Sequence, residues 1–264
     1  MKHELNGDSI HIATGGRDFN PEGDVLVMLH GSGQNHLTWV QQSRYLAHRG
    51  YEVLAPDFPG HGLSDGDPLE SIEAHAEWLD ALLESLGVPS ATIIGHSQGC
   101  LAAIDMAARF ESRVQSLVLV AGALAIPVNN FLVNMSDTAL EKAIAMMTSW
   151  GHGPSAHMYD NTLPGHSFIG YGRQVMDINN RQALLADLNA CNAYENGEAA
   201  AAAINKPTLC IIAEKDKMTP AKAGRKMAGS IAGADMVVIV NAGHFLPAEY
   251  PIEVNTAIRA FLTK

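Results

Sequence analysis

Residues 91–100 read ATIIGHSQGC, and residues 101–110, LAAIDMAARF, continue them with helical apolar spacing. Ala91-Thr92-Ile93-Ile94 runs straight into Gly95-His96-Ser97-Gln98-Gly99. A serine between two glycines, where a strand turns into a helix, has two readings. One is a nucleophile whose hydroxyl is exposed on a sharp turn. The other is an ordinary tight turn that holds a small polar residue. The pattern alone cannot choose between them, so the rest of the chain must.

Around this stretch the chain alternates. Residues 2–13 read as a hairpin with Asn6-Gly7-Asp8 at the turn. Buried-strand patterns follow at 24–30, 51–58, 91–95 and 114–122, then at 206–214 and 234–243. Helical patterns lie near 36–48, 68–86, 97–110, 220–231 and 249–262. Asp67-Pro68-Leu69-Glu70 supplies an expected start for the 68–86 helix, with Asp67 as cap and Pro68 in first position. Continuous apolar strands alternating with helices predict an α/β fold, a mostly parallel sheet of about eight strands covered on both faces. Ligands in such sheets bind beyond the carboxyl ends of the strands.

Residues 123–204 break the rhythm, with helical stretches near 136–149, 173–190 and 195–204 and no good strand. They are read as a helical lid inserted into a core formed by 1–122 and 205–264. Met135, Met146, Met147, Met158 and Met176 concentrate there, with Phe131, Trp150, Tyr159, Phe168 and Tyr171. Most of these methionines are expected to fill the insertion's own core, and a few to line an adaptable apolar pocket.

Composition excludes several partner classes. The 264 residues allow one domain with a sizeable insertion, and 47% hydrophobic residues exclude wholesale disorder. A formal charge of −11 with no basic run makes nucleic acid and anionic membranes poor partners. The first residues lack a signal-peptide core, and the longest apolar run, 117–128, is too short to span a bilayer. Cys100, Cys191 and Cys210 show no metal-ligand spacing, which fits a reduced, cytoplasmic protein without a structural metal. The apolar surface of the insertion suits a substrate or a second copy of the chain, so a homodimer stays open.

If Ser97 is a nucleophile, it needs a base, and the base needs a group to fix its tautomer. His244, in VVIVNAGHFLPAEYP, follows the last strand pattern. His152, His157 and His166 fall in Gly- and Pro-rich stretches where a solvated loop histidine is the default. His3, His11, His36, His48 and His75 lie on peripheral elements, which leaves His244 as the base. Asp216, in IIAEKDKMTP, is the expected acid, with Glu214 second and Thr219-Pro220 read as the start of the next helix. An oxyanion needs two preorganised donors. These are assigned to the backbone N–H of Gln98 and of Ser32, the latter in LHGSGQNHLTW. Trp39, Met147, Trp150 and Phe245 are the expected pocket walls, with packing of helix and lid as the alternative for them.

On LHGSG, PDFPGHGLSDG, GHSQG, AEKDKMTP and NAGHFLPAEYP, in that order, the chain resembles the α/β-hydrolase superfamily, in its lid-bearing serine esterase-like branch. The resemblance covers almost everything outside 123–204. It implies that Ser97, Asp216 and His244 are nucleophile, acid and base, and that PDFPGHGLSDG is a structural turn. Cys100 stands where many members have a further glycine, and is small enough to pack there. A serine nucleophile excludes the usual dehalogenase and epoxide hydrolase chemistry. Phe245 replaces the lysine that hydroxynitrile lyases carry after the histidine, and the proline-bearing loop of proline iminopeptidases is missing.

Hydrolysis of a carboxylic ester remains, with lactone or thioester as close variants and no cofactor or metal. Carbon–carbon hydrolases of the ring-cleavage type are a second reading, since HGSGQNHLTW matches their oxyanion loop in part. A small-molecule receptor that keeps an idle triad is a third. Activity should fall below about pH 6–7 as a histidine base protonates.

Overall fold

The computed structural model describes residues 1–159 and 167–264, apart from the side chain of Tyr159; His166 lies outside the described residues. Strands β1 (Lys2–Leu5), β2 (Asp8–Ala13), β3 (Val25–Leu29), β4 (Glu52–Pro56), β5 (Ala91–His96), β6 (Val114–Val120), β7 (Thr208–Ala213) and β8 (Asp235–Ile239) form one sheet. Their order is β1-β2-β4-β3-β5-β6-β7-β8. The β1–β2 hairpin joins β4 antiparallel, and the pairings from β4 to β8 are all parallel.

Helices cover both faces. On one lie α1 (Val40–Ala47) and, from the end of the chain, Pro251–Leu262; on the other lie α2 (Ile72–Ser85) and α3 (Gln98–Arg109). Strand β3 shows why its sequence is continuously apolar. Val25, Val27 and Leu29 join the core under α2 and α3, while Leu26 and Met28 join the core on the opposite face. Each side chain so buried contributes about 1.5–3 kcal/mol.

Between β6 and β7 the described residues hold α4 (Asn130–Thr138), α5 (Leu140–Gly151), α6 (Pro154–Tyr159), α7 (Phe168–Asp177), α8 (Ala183–Ala193) and α9 (Gly197–Ala203), with no strand among them. Two expected helices are each split. The 136–149 pattern breaks at Ala139 (φ −151°, ψ 55°), and the 173–190 pattern breaks at 178–182. Leu132, Ala143, Ile144, Met147, Met176, Leu184 and Leu188 form a core of the insertion's own. Ala200, Ala201 and Ile204, in and just after α9, are buried instead in the main core beside α3. Helices α10 (Ala221–Ser230), α11 (Leu246–Glu249) and α12 (Pro251–Leu262) complete the chain. Among the described residues, no helix is long and apolar enough to cross a membrane.

Three local expectations are corrected. The cap of α2 is Ser71, whose hydroxyl accepts from Ala74 N at 3.1 Å; Pro68 instead packs on the backbone of Gly60. Helix α10 starts at Ala221, because the Thr219 hydroxyl is used elsewhere. Strand β8 is mostly exposed: it is the last strand of the sheet, no described strand pairs beyond it, and Met236 and Val237, with Val240 just after, stay exposed while Ile239 is buried.

Candidate active site

Ser97 joins β5 to α3 with φ 53° and ψ −117°, a left-handed conformation that costs a non-glycine residue about 1–3 kcal/mol. It is held there by its N–H, which donates to Val120 O on the neighbouring strand at 3.1 Å. The flanking glycines let strand and helix close on each other. A Cβ on Gly95 would run into the carbonyl oxygen of Gly99. Cys100 fills the next place, with its thiol turned to Gly95 O at 3.2 Å.

Two loops at the far strand ends supply a paired histidine and acid. His244 Nδ1 lies 2.8 Å from Asp216 Oδ2, and both side chains are buried. Asp216 is braced on all sides: Oδ1 accepts from Met218 N at 2.8 Å and Thr219 N at 2.9 Å, and Oδ2 from the Thr219 hydroxyl at 2.8 Å. Burial pushes its carboxyl up, but the neighbouring His244 and the Thr219 donors outweigh that and hold it below the usual range. The base loop is tied down by its backbone. His244 N donates to Gly151 O at 2.5 Å, and His244 O accepts from His96 Nε2 at 2.8 Å. Glu214, the second choice of acid, is exposed and pairs with Lys215.

The loop after β3 comes down onto the serine. A Cβ on Gly31 would stand 2.9 Å from the Cβ of Ser97, so the backbone leading to Ser32 passes directly over the elbow. His30 anchors it. Its Nδ1 faces Gly31 O at 3.0 Å and its Nε2 accepts from Phe58 N at 3.2 Å. That pattern needs a neutral ring, and burial pushes its pKa down to about 3.

Ser97, His244 and Ser32 share a cavity of about 130 Å³. Met147, Trp150 and Phe245 line it, together with Ile126, Val128, Leu132, Leu188 and Lys217. Trp39 does not. The turn at His36–Trp39 points it into the core beside α1 and α12, fully buried and edge-on to His96 at 6.3 Å. Phe131 is exposed, while Phe168 and Tyr171 line a separate small cleft. His152 is buried rather than solvated, because Thr148 O receives its Nδ1 at 2.7 Å and Phe245 packs 4.6 Å from its ring. A larger groove of about 630 Å³ beside α1 and α12 contains none of Ser97, Asp216 and His244.

Several residues beside the cavity escaped the sequence reading. Asn179, in the break between α7 and α8, donates from Nδ2 to Gly33 O at 2.6 Å, and its Oδ1 accepts from Gly62 N at 2.8 Å. Asp187 on α8 is buried and accepts from Gly33 N at 2.7 Å. Its signal in the sequence was a single acid inside the apolar run ALLADLNACNA. His75, read as peripheral, is fully buried 3.9 Å from Asp187. His11, His36 and Asp57 have metal-ligand types within reach of one another. The Asp57 oxygens already accept from His36 N at 2.6 Å and Leu63 N at 2.9 Å, as befits a carboxylate that holds a turn.

Comparison with known proteins gives the class. Residues 24–251 match the family model described as alpha/beta hydrolase fold, and the chain belongs to that family. A Pseudomonas putida protein named 2-hydroxy-6-oxononadienedioate/2-hydroxy-6-oxononatrienedioate hydrolase 2 is 26% identical, over 93% of this chain and 90% of its own. Among solved structures, an enol-lactonase from Burkholderia xenovorans LB400 superposes with TM-score 0.89 at 23% identity, over all of both chains. A thermophilic esterase from Thermogutta terrifontis does so with TM-score 0.83 at 21% identity, covering 100% of this chain and 98% of its own. At those identities the two structures speak for the fold. Membership of the family and the relatives together make the chain a hydrolase.

Proposed function

We propose that this hydrolase cleaves carboxylic esters through an acyl-enzyme, with Ser97 as nucleophile, His244 as base and Asp216 as the acid that orients it. One observation carries the reading. A serine strained at φ 53° on a strand-to-helix elbow shares a cavity with a histidine whose other nitrogen is held by a buried carboxylate at 2.8 Å. Ser97 attacks the ester carbonyl as His244 takes its proton, and the N–H groups of Ser32 and Gln98 hold the oxyanion. His244 then protonates the leaving alkoxide, and water repeats the sequence on the acyl-enzyme. Residues 123–204 serve as the lid that walls the cavity, and Met147, Trp150 and Phe245 as the walls nearest the acyl group.

Cleavage of a carbon–carbon bond in a keto acid is the second reading. It is favoured by the 26% identity to the nonadienedioate hydrolase over nearly the whole chain. Assays with p-nitrophenyl esters from acetate to palmitate, on wild type and Ser97→Ala, separate the two. Turnover that falls about 10⁴-fold or more in the variant supports the ester reading. A folded wild type that hydrolyses no ester but cleaves a vinylogous 1,5-diketone supports the other.

A further inference from the structure

One carboxylate that comes from the insertion fastens Gln98 by its side chain and the residue after Ser32, Gly33, by its backbone N–H. Asp187 Oδ2 accepts from Gly33 N at 2.7 Å, immediately after Ser32 in the chain. Asp187 Oδ1 accepts from the Gln98 side-chain amide at 3.1 Å, and the same nitrogen lies 3.4 Å from His75 Nε2. With His75 Nδ1 facing Ser71 O at 2.7 Å, its Nε2 is free to accept, so both hydrogens of the Gln98 amide are used.

One face of α8 lies along this loop. Leu184 and Asp187, three residues apart, and Cys191, four further on, all meet it. Leu184 stands 2.9 Å from where a Cβ on Gly33 would be, and the Cys191 thiol lies 3.6 Å from the Ser32 hydroxyl.

A carboxylate so near a developing oxyanion would oppose it unless its charge were cancelled. His61 cancels it. Its Nδ1 faces Pro59 O at 2.9 Å and its Nε2 faces Asp187 Oδ2 at 3.0 Å. With a carbonyl on one nitrogen and the buried Asp187 carboxylate on the other, the ring is placed to carry the second proton and pair with that charge as an imidazolium. Burial alone would lower the pKa of His61, but Asp187 outweighs that and raises it, in agreement with the geometry.

We propose that Asp187 is the positioning residue of the oxyanion hole, an anchor that aligns the Ser32 and Gln98 donors only while α8 is seated on the core. This rests on the ester-hydrolase reading above. Placing donors correctly matters most when the oxyanion forms, so the anchor should act on kcat rather than on substrate binding.

The test is Asp187→Asn, with Gln98→Leu as a second variant that cuts the tether and keeps the backbone N–H. For both, kcat on p-nitrophenyl butyrate should fall roughly 10–100-fold with KM within about twofold. The Ki of butylboronic acid, which forms a tetrahedral adduct on the serine, should rise in proportion. Folded variants with unchanged kcat and boronate affinity, whatever their melting temperature, would overturn the anchor alone. A wild type that hydrolyses no ester would overturn the anchor together with the reading it rests on.

Discussion

His96 Nε2 donates to the backbone carbonyl of His244 across 2.8 Å, so the residue before Ser97 holds the loop that carries the proposed base. The fully buried His96 ring also has Nδ1 3.1 Å from Gln34 Oε1 and lies edge-on to Trp39. Unlike His61, it has no carboxylate among the described residues at either nitrogen to hold a charge on it. Burial pushes its pKa down to about 3, so it stays neutral and serves as a strut.

Replacing that strut should misplace the base without touching substrate. His96→Phe keeps the volume and loses the hydrogen bond. It is expected to lower kcat roughly 10–100-fold with little change in KM, as misplacement by about 1 Å does elsewhere. Steady-state kinetics on p-nitrophenyl butyrate checks this, and an unchanged kcat refutes it.

Stability should carry the mark of Glu249. This buried side chain accepts at Oε2 from Gly153 N at 2.7 Å, while its Oε1 has no hydrogen-bond partner among the described residues, and burial pushes its carboxyl up to about 7. A carboxyl raised in the folded state binds more protons there than in the unfolded chain. Stability therefore falls as pH rises from about 4.5 to about 7. Glu249→Gln cannot ionise, so it should gain on wild type across that window by up to about 3 kcal/mol. Urea unfolding of both proteins at pH 5 and pH 8 measures the gain; a pH-independent difference would sink it.

The cavity around Ser97, about 130 Å³, is close to the engineered cavities of about 150 Å³ that hold one benzene. Short acyl chains should therefore be preferred, with acetate and butyrate esters hydrolysed faster than decanoate. Met147 lines that space while packing within the insertion's core. Met147→Ala should move the optimum to longer chains and destabilise the fold by about 2–5 kcal/mol. An optimum that stays in place, measured by kcat/KM along the ester series, counts against this wall.

Lys217 brings a cation to a wall otherwise made mostly of apolar and neutral side chains. An ester whose acyl group ends in a carboxylate should use it. Lys217→Gln is expected to raise KM roughly 5–20-fold for p-nitrophenyl hemisuccinate, which is about 1–2 kcal/mol. The neutral butyrate should be unaffected. Added salt should erase part of the wild-type preference; equal effects on both esters would refute the assignment.

The sheet was legible because its strands are buried on both faces, which leaves unbroken apolar runs such as residues 25–29 and 91–96. Only β8 misled, since an apolar sequence does not say whether a neighbour covers it. Ser97, Asp216 and His244 could be read because each follows a strand in a motif with turn residues around it. Asp187, Asn179 and Glu249 could not. Each bonds a backbone group 96 to 154 residues away, and a backbone N–H or carbonyl leaves no trace in sequence. Thr219 was misjudged for a related reason: a hydroxyl before a proline looks like a cap until Asp216 and Ala121 O claim it. Trp39 closely follows the loop after β3 in sequence, but the 3-10 turn at 36–39 rotates it inward.

Asn179 and Asp187 leave the insertion with two polar fastenings on the loop after β3, one of which, Asn179, also grips the turn at Gly62. An exchange of this segment with that of a relative would therefore not be a swap of one module for another. A graft would need matching partners at Gly33, Gly62, His61 and Gln98, or arrive with a buried backbone amide unsatisfied and a histidine stripped of its counter-charge. Redesign of the substrate range is thus better aimed at Leu132, Met147, Trp150 and Lys217, whose side chains line the cavity, than at α8, whose Asp187 holds the loop beneath it.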